Sequence, residues 1–311
     1  RHESLRTRFT TTDGKPRQQV REDTGPRIHF TNLSAETDPE KRAAKFAREH
    51  ATAPFDLVAG PLFRVALLKL AAERHALLFN VHHIISDGWS MDVLAREFGQ
   101  LYDAFHRGEA NPLPPLRVQY KDYAAWQNER LTGDALETHR RYWHEQLAGE
   151  IPVLDLPIDF PRPPVQTFRG NTLRFHLTPK QTDGLRTLSQ THGATLFMTL
   201  VALAKTLLHR YTGQQEILLG TPVAGREHAD LEEQIGFYVN TLVLRDRVDT
   251  DTSFASLLDQ VKETATSAYA HQGYPFDRLV EELELRRDIS RSPLFDVMVV
   301  MQDDRNDDLS L

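Results

Sequence analysis

Cysteine is absent from these 311 residues. That excludes a disulfide framework, a thiolate zinc site and a cysteine nucleophile. Long apolar runs are missing as well. No stretch approaches the roughly 20 residues needed to span a bilayer, and no signal-peptide pattern opens at Arg1. A soluble, cytoplasmic protein without a membrane partner is expected. Long basic runs are also lacking: Arg286-Arg287 is only a pair, and the formal net charge is −7. Nucleic acid is therefore not the expected partner, because phosphate binding wants a basic face. What is present is 40% apolar residues, enough for a real core, in a length that suits one large domain or two ordinary ones.

Apolar patterning predicts a hairpin from strands at 63–70 and 76–81, followed by a helix over 90–106. Residues 120–147 read as helical, with Trp126 and Trp143 as core anchors. Pro152, Pro157, Pro161, Pro163 and Pro164 break regular structure and mark 151–170 as a linker. Beyond it, 172–177 alternates like a strand. Thr178-Pro179 then opens a helix as an N-cap followed by proline. A helix over 195–211, apolar on most faces, is expected to be buried. Strands follow near 216–220, 241–248 and 295–301, with helices at 253–271 and 276–285. Strands interleave with helices in both halves, which implies α/β layers rather than a bundle. The expected division is an N-terminal subdomain over 1–150, the linker over 151–170 and a C-terminal subdomain over 171–311.

The most informative stretch is Val81-His82-His83-Ile84-Ile85-Ser86-Asp87-Gly88-Trp89-Ser90. The histidines fall where a strand ends and a loop begins, so a rigid element aims them while the loop leaves room for substrate. Successive strand side chains point to opposite faces, so His82 and His83 cannot both face one cavity. A neutral imidazole is suited to handling a proton near pH 7. Gly88 is read as permitting a close backbone bend after Asp87. A metal is not expected, because Asp87 with one of two diverging histidines gives too few ligands.

Other segments join this one in a single pattern. Arg1-His2-Glu3-Ser4-Leu5-Arg6-Thr7-Arg8-Phe9 is similar to RHExLRTxF, and Tyr120-Lys121-Asp122-Tyr123-Ala124-Ala125-Trp126 to YxDYAxW. Ile235-Gly236-Phe237-Tyr238-Val239-Asn240-Thr241 resembles IGxFVNT, with Phe237 at the variable position. His271-Gln272-Gly273-Tyr274-Pro275-Phe276-Asp277 resembles HQDxPFE, departing at Gly273 and Asp277. Arg287-Asp288-Ile289-Ser290-Arg291-Ser292-Pro293-Leu294 is similar to RDxSRxPL. Together with HHxxxDG these are the motifs, in order, of the condensation domains of nonribosomal peptide synthetases. A further family motif upstream of Arg1 is not found, and members continue beyond the acidic stretch at 302–308. The chain is read as an internal segment of such a domain, with both subdomains incomplete.

The resemblance implies a chloramphenicol-acetyltransferase-like α/β fold. Two similar subdomains form a V, with the active site in a tunnel at their junction. It implies amide-bond formation between a donor acyl or peptidyl thioester and the α-amine of an acceptor aminoacyl thioester. No cofactor is bound by the domain itself; both substrates arrive on the 4′-phosphopantetheine arms of donor and acceptor peptidyl carrier proteins, and an adenylation domain is a neighbour. His83 matches the principal catalytic position, either taking a proton from the attacking amine or orienting it. His82 supports the motif. Asp87 is expected to be structural and paired with an arginine from the other subdomain, Arg226, with Arg1 and Arg6 as alternatives. Gly88 offers its N–H to the tunnel, where a larger residue would obstruct substrate. Asn240 points an amide into the site or is a turn residue; Trp89 lines the tunnel. Asp288 and Arg291 read as scaffold ion-pair partners. The continuation Gly88-Trp89-Ser90-Met91 favours condensation over epimerisation, and intact His82 argues against heterocyclisation. The Trp89-Ser90 and Arg1–Phe9 segments resemble the type accepting an L-configured donor. The alternatives are a non-catalytic carrier- or enzyme-recruiting module, and a coenzyme-A-dependent acyltransferase of the same superfamily.

Overall fold

The computed structural model describes residues 1–22, 27–167, 169–285 and 288–302. The acidic stretch 303–308 and Arg286-Arg287, at the start of the last motif, lie outside the described residues. Contacts divide the chain into two units. The first comprises Arg1–Glu129 with Arg226–Tyr238; the second comprises Arg130–Gly225 and the described residues from Val239 on. The division thus differs from the expected one. The chain passes between units at 129/130 rather than in the proline-rich 151–170 segment, and a short insert from the second half returns to the first unit.

In the first unit, Glu3–Arg6 forms a 3-10 turn leading into a hairpin of β1 (Thr7–Thr12) and β2 (Lys15–Val20). Asp13 and Gly14 close it with positive φ at both positions (52° and 73°), the primed turn that matches strand twist. β3 (Ile28–Asn32) runs parallel to β4 (Phe63–Lys69), and α1 (Pro39–Thr52) makes the crossover. Asp38 caps α1 by accepting from the Lys41 N–H at 3.0 Å, and Pro39 occupies the first turn, where its missing N–H is harmless. β5 (His75–Val81) pairs antiparallel with β4, placing Phe63 opposite Val81 and Val65 opposite Phe79. Leu62, Phe63, Val65 and Ile85 form the buried centre of this unit. α2 (Gly88–His106) and α3 (Tyr120–Arg130) follow.

The expected helix over 120–147 is two helices. Gly133 (φ 78°) precedes α4 (Asp134–Gln146), which belongs to the second unit. Trp143 is fully buried there, with its indole N–H donated to the His271 carbonyl at 3.1 Å. Trp126 is not a core anchor: it is 42% exposed, and Tyr123, one turn earlier, fills the buried position of α3.

The second unit continues with α5 (Pro179–Thr191) and α6 (Leu196–Thr212), each opened by a capping box on Thr178 or Thr195. β6 (Glu216–Val223) and β7 (Asn240–Arg247) are antiparallel, and α7 (Phe254–Ala270) and α8 (Phe276–Glu282) complete the unit. Val201, Ala202, Leu219, Leu242, Leu258 and Val261 are among the buried residues that pack these layers together. Lys205 on α6 is wholly buried. Its ammonium forms an ion pair with Asp246 at 2.6 Å and donates to the carbonyls of Ile217 (3.1 Å) and Leu244 (2.7 Å), which compensates its burial. The outer face of α6 is open at Leu203 and Leu207, contrary to the expectation of a helix buried on most sides.

Two expected strands differ. Residues 172–177 form no strand; Leu173 is 88% exposed and Phe175 78% exposed, with no ladder partner among the described residues. Over 295–301 only one parallel bridge forms, Gly220 with Met298, flanked by Gly220 N–H to Val297 O and Val299 N–H to Gly220 O. Gly220 is required at that crossing, because a Cβ would lie 2.4 Å from the Phe295 ring. Among the described residues no single helix is long and apolar enough to cross a membrane.

Candidate active site

β5 delivers the two histidines into a 3-10 turn over His83–Ile85, and the turn separates their environments. His82 bends back on the scaffold. Its Nδ1 accepts the Ile84 N–H at 3.0 Å, and its ring meets Phe55 edge-on at 5.7 Å. With Nδ1 an acceptor, the neutral ring carries its proton on Nε2. His83 is exposed, and among the described residues no hydrogen bond engages its ring nitrogens. Its ring neighbour is Phe237, with centroids 5.1 Å apart and planes at 75°.

Asp87 is the N-cap of α2. Its Oδ1 accepts the Ser90 N–H at 2.8 Å, satisfying one of the helix's unpartnered first-turn donors. The same oxygen accepts from Arg226 Nη2 at 2.9 Å, while Oδ2 accepts the Tyr238 N–H at 3.0 Å. Both side chains are almost completely buried. Arg226 is thus the residue on Asp87. Arg1 instead pairs with Glu97, and Arg6 reaches Glu3 and the Arg21 carbonyl. Arg226 comes from the second half of the sequence, yet it packs within the first unit. Its Nη1 donates to the carbonyls of Leu231 (2.5 Å) and Gln234 (3.0 Å), and its guanidinium lies 4.1 Å over the Tyr238 ring. Both oxygens of Asp87 accept hydrogen bonds, Oδ1 from Ser90 and Arg226 and Oδ2 from Tyr238, so the carboxylate joins α2 to the returning segment.

Ser90, wholly buried, fastens α2 to the returning segment. Its hydroxyl hydrogen is shared between Asp87 Oδ1 (2.6 Å) and Gly236 O (2.9 Å), and its oxygen accepts from Gly236 N–H and Arg226 Nη2, each at 3.0 Å. Trp89 donates its indole N–H to the Glu232 carbonyl at 2.8 Å, so its polar edge clasps the same segment while the ring stays partly exposed. From the other end, Ser4 Oγ donates to Ile235 O at 2.6 Å. His2 accepts the Ile235 N–H on Nδ1 (3.3 Å), which leaves its Nε2 to face Glu97 at 2.7 Å. Tyr120 Oη donates to Phe237 O at 2.8 Å. Burial pushes the Tyr120 phenol up to about 12, reinforced by Tyr123 and Asp87 and opposed by Arg226. Burial drives Tyr238 up as well, against the pull of Arg226. Both remain neutral donors at pH 7.

Two expectations are corrected. Gly88 is not in the left-handed region, and a Cβ there would meet nothing within 4 Å, so the backbone bend does not require glycine. Asn240, in the second unit, does not present a free amide. Its two Nδ2 hydrogens go to the carbonyls of Gln272 and Tyr274, each at 2.7 Å, and its Oδ1 accepts from the N–H groups of Thr241 (2.9 Å) and Phe276 (3.0 Å). The side chain ties the start of β7 to the His271–Phe276 turn. Asp288 and Arg291 pair with each other at 3.5 Å, and the largely buried Arg291 also reaches Asp296 at 3.3 Å. Sequence reasoning passes over Ser90, Tyr120, Phe237 and His2 as individual site residues. The Asp87-to-Ser90 spacing, N-cap to N3, is the available signal for Ser90; Phe237 stands at a motif position that carries no signature.

The sequence model described as "Condensation domain" matches residues 1–310, and the chain belongs to that family, whose reaction is peptide-bond formation. It is 45% identical over 311 residues to tyrocidine synthase 3 of Brevibacillus parabrevis, covering 100% of this chain and 5% of that protein. It is 43% identical over 302 residues to gramicidin S synthase 2 of Aneurinibacillus migulanus, covering 97% and 6%. The chain thus spans only a small part of the length of these relatives. The X-domain from teicoplanin biosynthesis superposes with a TM-score of 0.87 at 29% identity, covering 96% of this chain and 66% of that one. The first condensation domain of the calcium-dependent antibiotic synthetase, solved with a substrate analogue, gives 0.71 at 25% identity, covering 96% and 68%. The fold is accordingly the chloramphenicol-acetyltransferase-like α/β fold of condensation domains.

Proposed function

We propose that this chain catalyses attack of an acceptor aminoacyl α-amine on a donor acyl or peptidyl thioester. Both substrates are held on phosphopantetheine arms of carrier proteins, and an adenylation domain is a neighbour. The observation that carries the reading is the contrast between the histidines: His82 is engaged by the backbone, while His83 is exposed with uncommitted ring nitrogens. In the reaction the amine nitrogen bonds to the carbonyl carbon, the C–S bond breaks, and the proton lost by the amine leaves with the donor arm's thiol. An α-amino group titrates near pH 8, so a useful fraction is neutral at pH 7. His83 then accepts or orients the proton of the zwitterionic tetrahedral intermediate. The buried Asp87–Arg226–Ser90 group sets the frame around it. We assign the donor to the L-configured type on the Trp89-Ser90 continuation.

The test is single-turnover dipeptide formation with an L-phenylalanyl donor carrier and an L-leucyl acceptor carrier. His83→Ala is expected to lower it roughly 10²- to 10⁴-fold, the scale of a general acid–base group, with circular dichroism unchanged. Near-native turnover in the folded variant sinks the assignment. A second reading, a recruiting module, draws on the likeness to the teicoplanin X-domain, one structure of which is a complex with OxyB. Native protein that forms no dipeptide with any carrier pair, alongside tight capture of an oxygenase, would favour it. Acyl transfer from free coenzyme A thioesters, with carriers idle, would mark the third alternative.

A further inference from the structure

We infer that Phe237 is a positioning residue that holds the His83 imidazole in its working orientation; this rests on His83 being the catalytic group. Catalytic histidines are commonly oriented by a hydrogen bond at the second ring nitrogen, and His83 has none among the described residues. What it has is an aromatic face. Phe237 meets it edge-to-face at 5.1 Å and 75°, the geometry in which ring quadrupoles attract.

Phe237 is itself 39% exposed, so burial does not fix it. Its backbone does. Its carbonyl accepts from Tyr120 Oη at 2.8 Å. The residue before it, Gly236, is pinned to Ser90 Oγ through both N–H and C=O. The residue after it, Tyr238, gives its N–H to Asp87 Oδ2. Gly236 is confined further, because a Cβ would fall 2.3 Å from the Tyr120 ring and 2.7 Å from that of Tyr238. Three consecutive residues are therefore anchored from three directions, and the single side chain left pointing outward among them lies against His83. Asp87 and Ser90, four and seven residues beyond His83, supply two of those anchors, so the histidine motif builds the support for its own imidazole.

The experiment compares native protein with Phe237→Ala, Phe237→Leu, Phe237→Tyr and His83→Ala, using the phenylalanyl and leucyl carriers and ¹³C-histidine NMR. The His83 signals are identified by their loss in His83→Ala. An edge-to-face pair is worth enough to predict a kcat about 2- to 12-fold lower in Phe237→Ala. The KM for each carrier should stay within about 2-fold and the melting temperature should hold, as expected for an interaction that acts on the chemical step. Phe237→Leu, which restores bulk without a ring, should stay impaired. Phe237→Tyr should recover native kcat. The His83 ring-proton resonances should move in the alanine and leucine variants and return in the tyrosine variant. Native kcat in Phe237→Ala, unmoved His83 resonances, or full rescue by leucine overturns the inference while leaving His83 catalytic. Native turnover in His83→Ala overturns the parent reading instead.

Discussion

Asp87 illustrates how a single carboxylate is spent on architecture. Its oxygens take the Ser90 and Tyr238 amides, the Ser90 hydroxyl and the Arg226 guanidinium, all away from bulk water. Removing it strands a buried cation whose remaining partners are all neutral, two carbonyls, the Ser90 hydroxyl and the Tyr238 ring, a change on the order of 3–5 kcal/mol. Loss of the helix cap adds to this. Asp87→Ala is therefore expected to lower the melting temperature well below that of His83→Ala, read by differential scanning calorimetry. Asp87→Asn keeps acceptors for the two amides and should be intermediate. An asparagine variant of native stability that makes no dipeptide would assign Asp87 to the chemistry instead.

Among the elements, Glu282 closes α8 and binds it to α4. Its carboxylate receives Tyr274 Oη (2.6 Å), Arg140 Nε (2.9 Å), Arg278 Nε (3.1 Å) and faces His144 Nε2 at 3.1 Å. Burial alone would raise its pKa, but these donors outweigh burial and bring it from 4.5 to about 2. A carboxyl depressed in the folded state binds fewer protons there than in the unfolded chain. Its contribution is fully present above pH 4.5 and disappears as pH falls from about 4.5 to about 2. Glu282→Gln should flatten the fall of melting temperature across that window, followed by circular dichroism at stepped pH. A slope as steep as native would contradict the linkage.

Elements whose partners are close in sequence were legible: the β4–β5 hairpin, α2, and the capped helices α5 and α6. The 172–177 segment was not, because alternation at Leu173, Phe175 and Leu177 states which face is apolar but not whether a ladder partner exists. Trp126 misled for a related reason, since the helix period does not say whether Tyr123 or Trp126 faces the core. At the site, the divergence of His82 and His83 and the Asp87–Arg226 pair were legible in the sequence. The contact of Phe237 with His83 was not, because it joins residues 154 positions apart (237 minus 83) and Phe237 fills a variable motif position.

At the scale of the molecule, the second unit contains a long exposed connection. Between α4 and α5 no helix or strand forms among the described residues, and Phe160, Leu173 and Phe175 stand largely in solvent. Exposed backbone without ladder or helical hydrogen bonds opens readily to proteases. Limited trypsin digestion of residues 1–311 is expected to cut first after Arg169 or Arg174, before any basic site within α5, α6 or α7. Mass spectrometry of the earliest fragments decides it; first cleavage inside α6 would show this connection to be better protected than its exposure indicates.

The returning segment Arg226–Tyr238 has a consequence for the order in which the protein can be made. Asp87 lies 139 positions before Arg226 and 151 before Tyr238. At synthesis rates of about 5–20 residues per second, the 139-residue separation is a wait of roughly 7–28 s between synthesis of Asp87 and synthesis of its arginine. Through that interval the nascent first unit carries a carboxylate shaped for a cation not yet translated. The frame that Asp87 shares with Arg226 and Tyr238 can therefore close only after residues 130–225 of the second unit have been translated, although the histidine turn is encoded well before them.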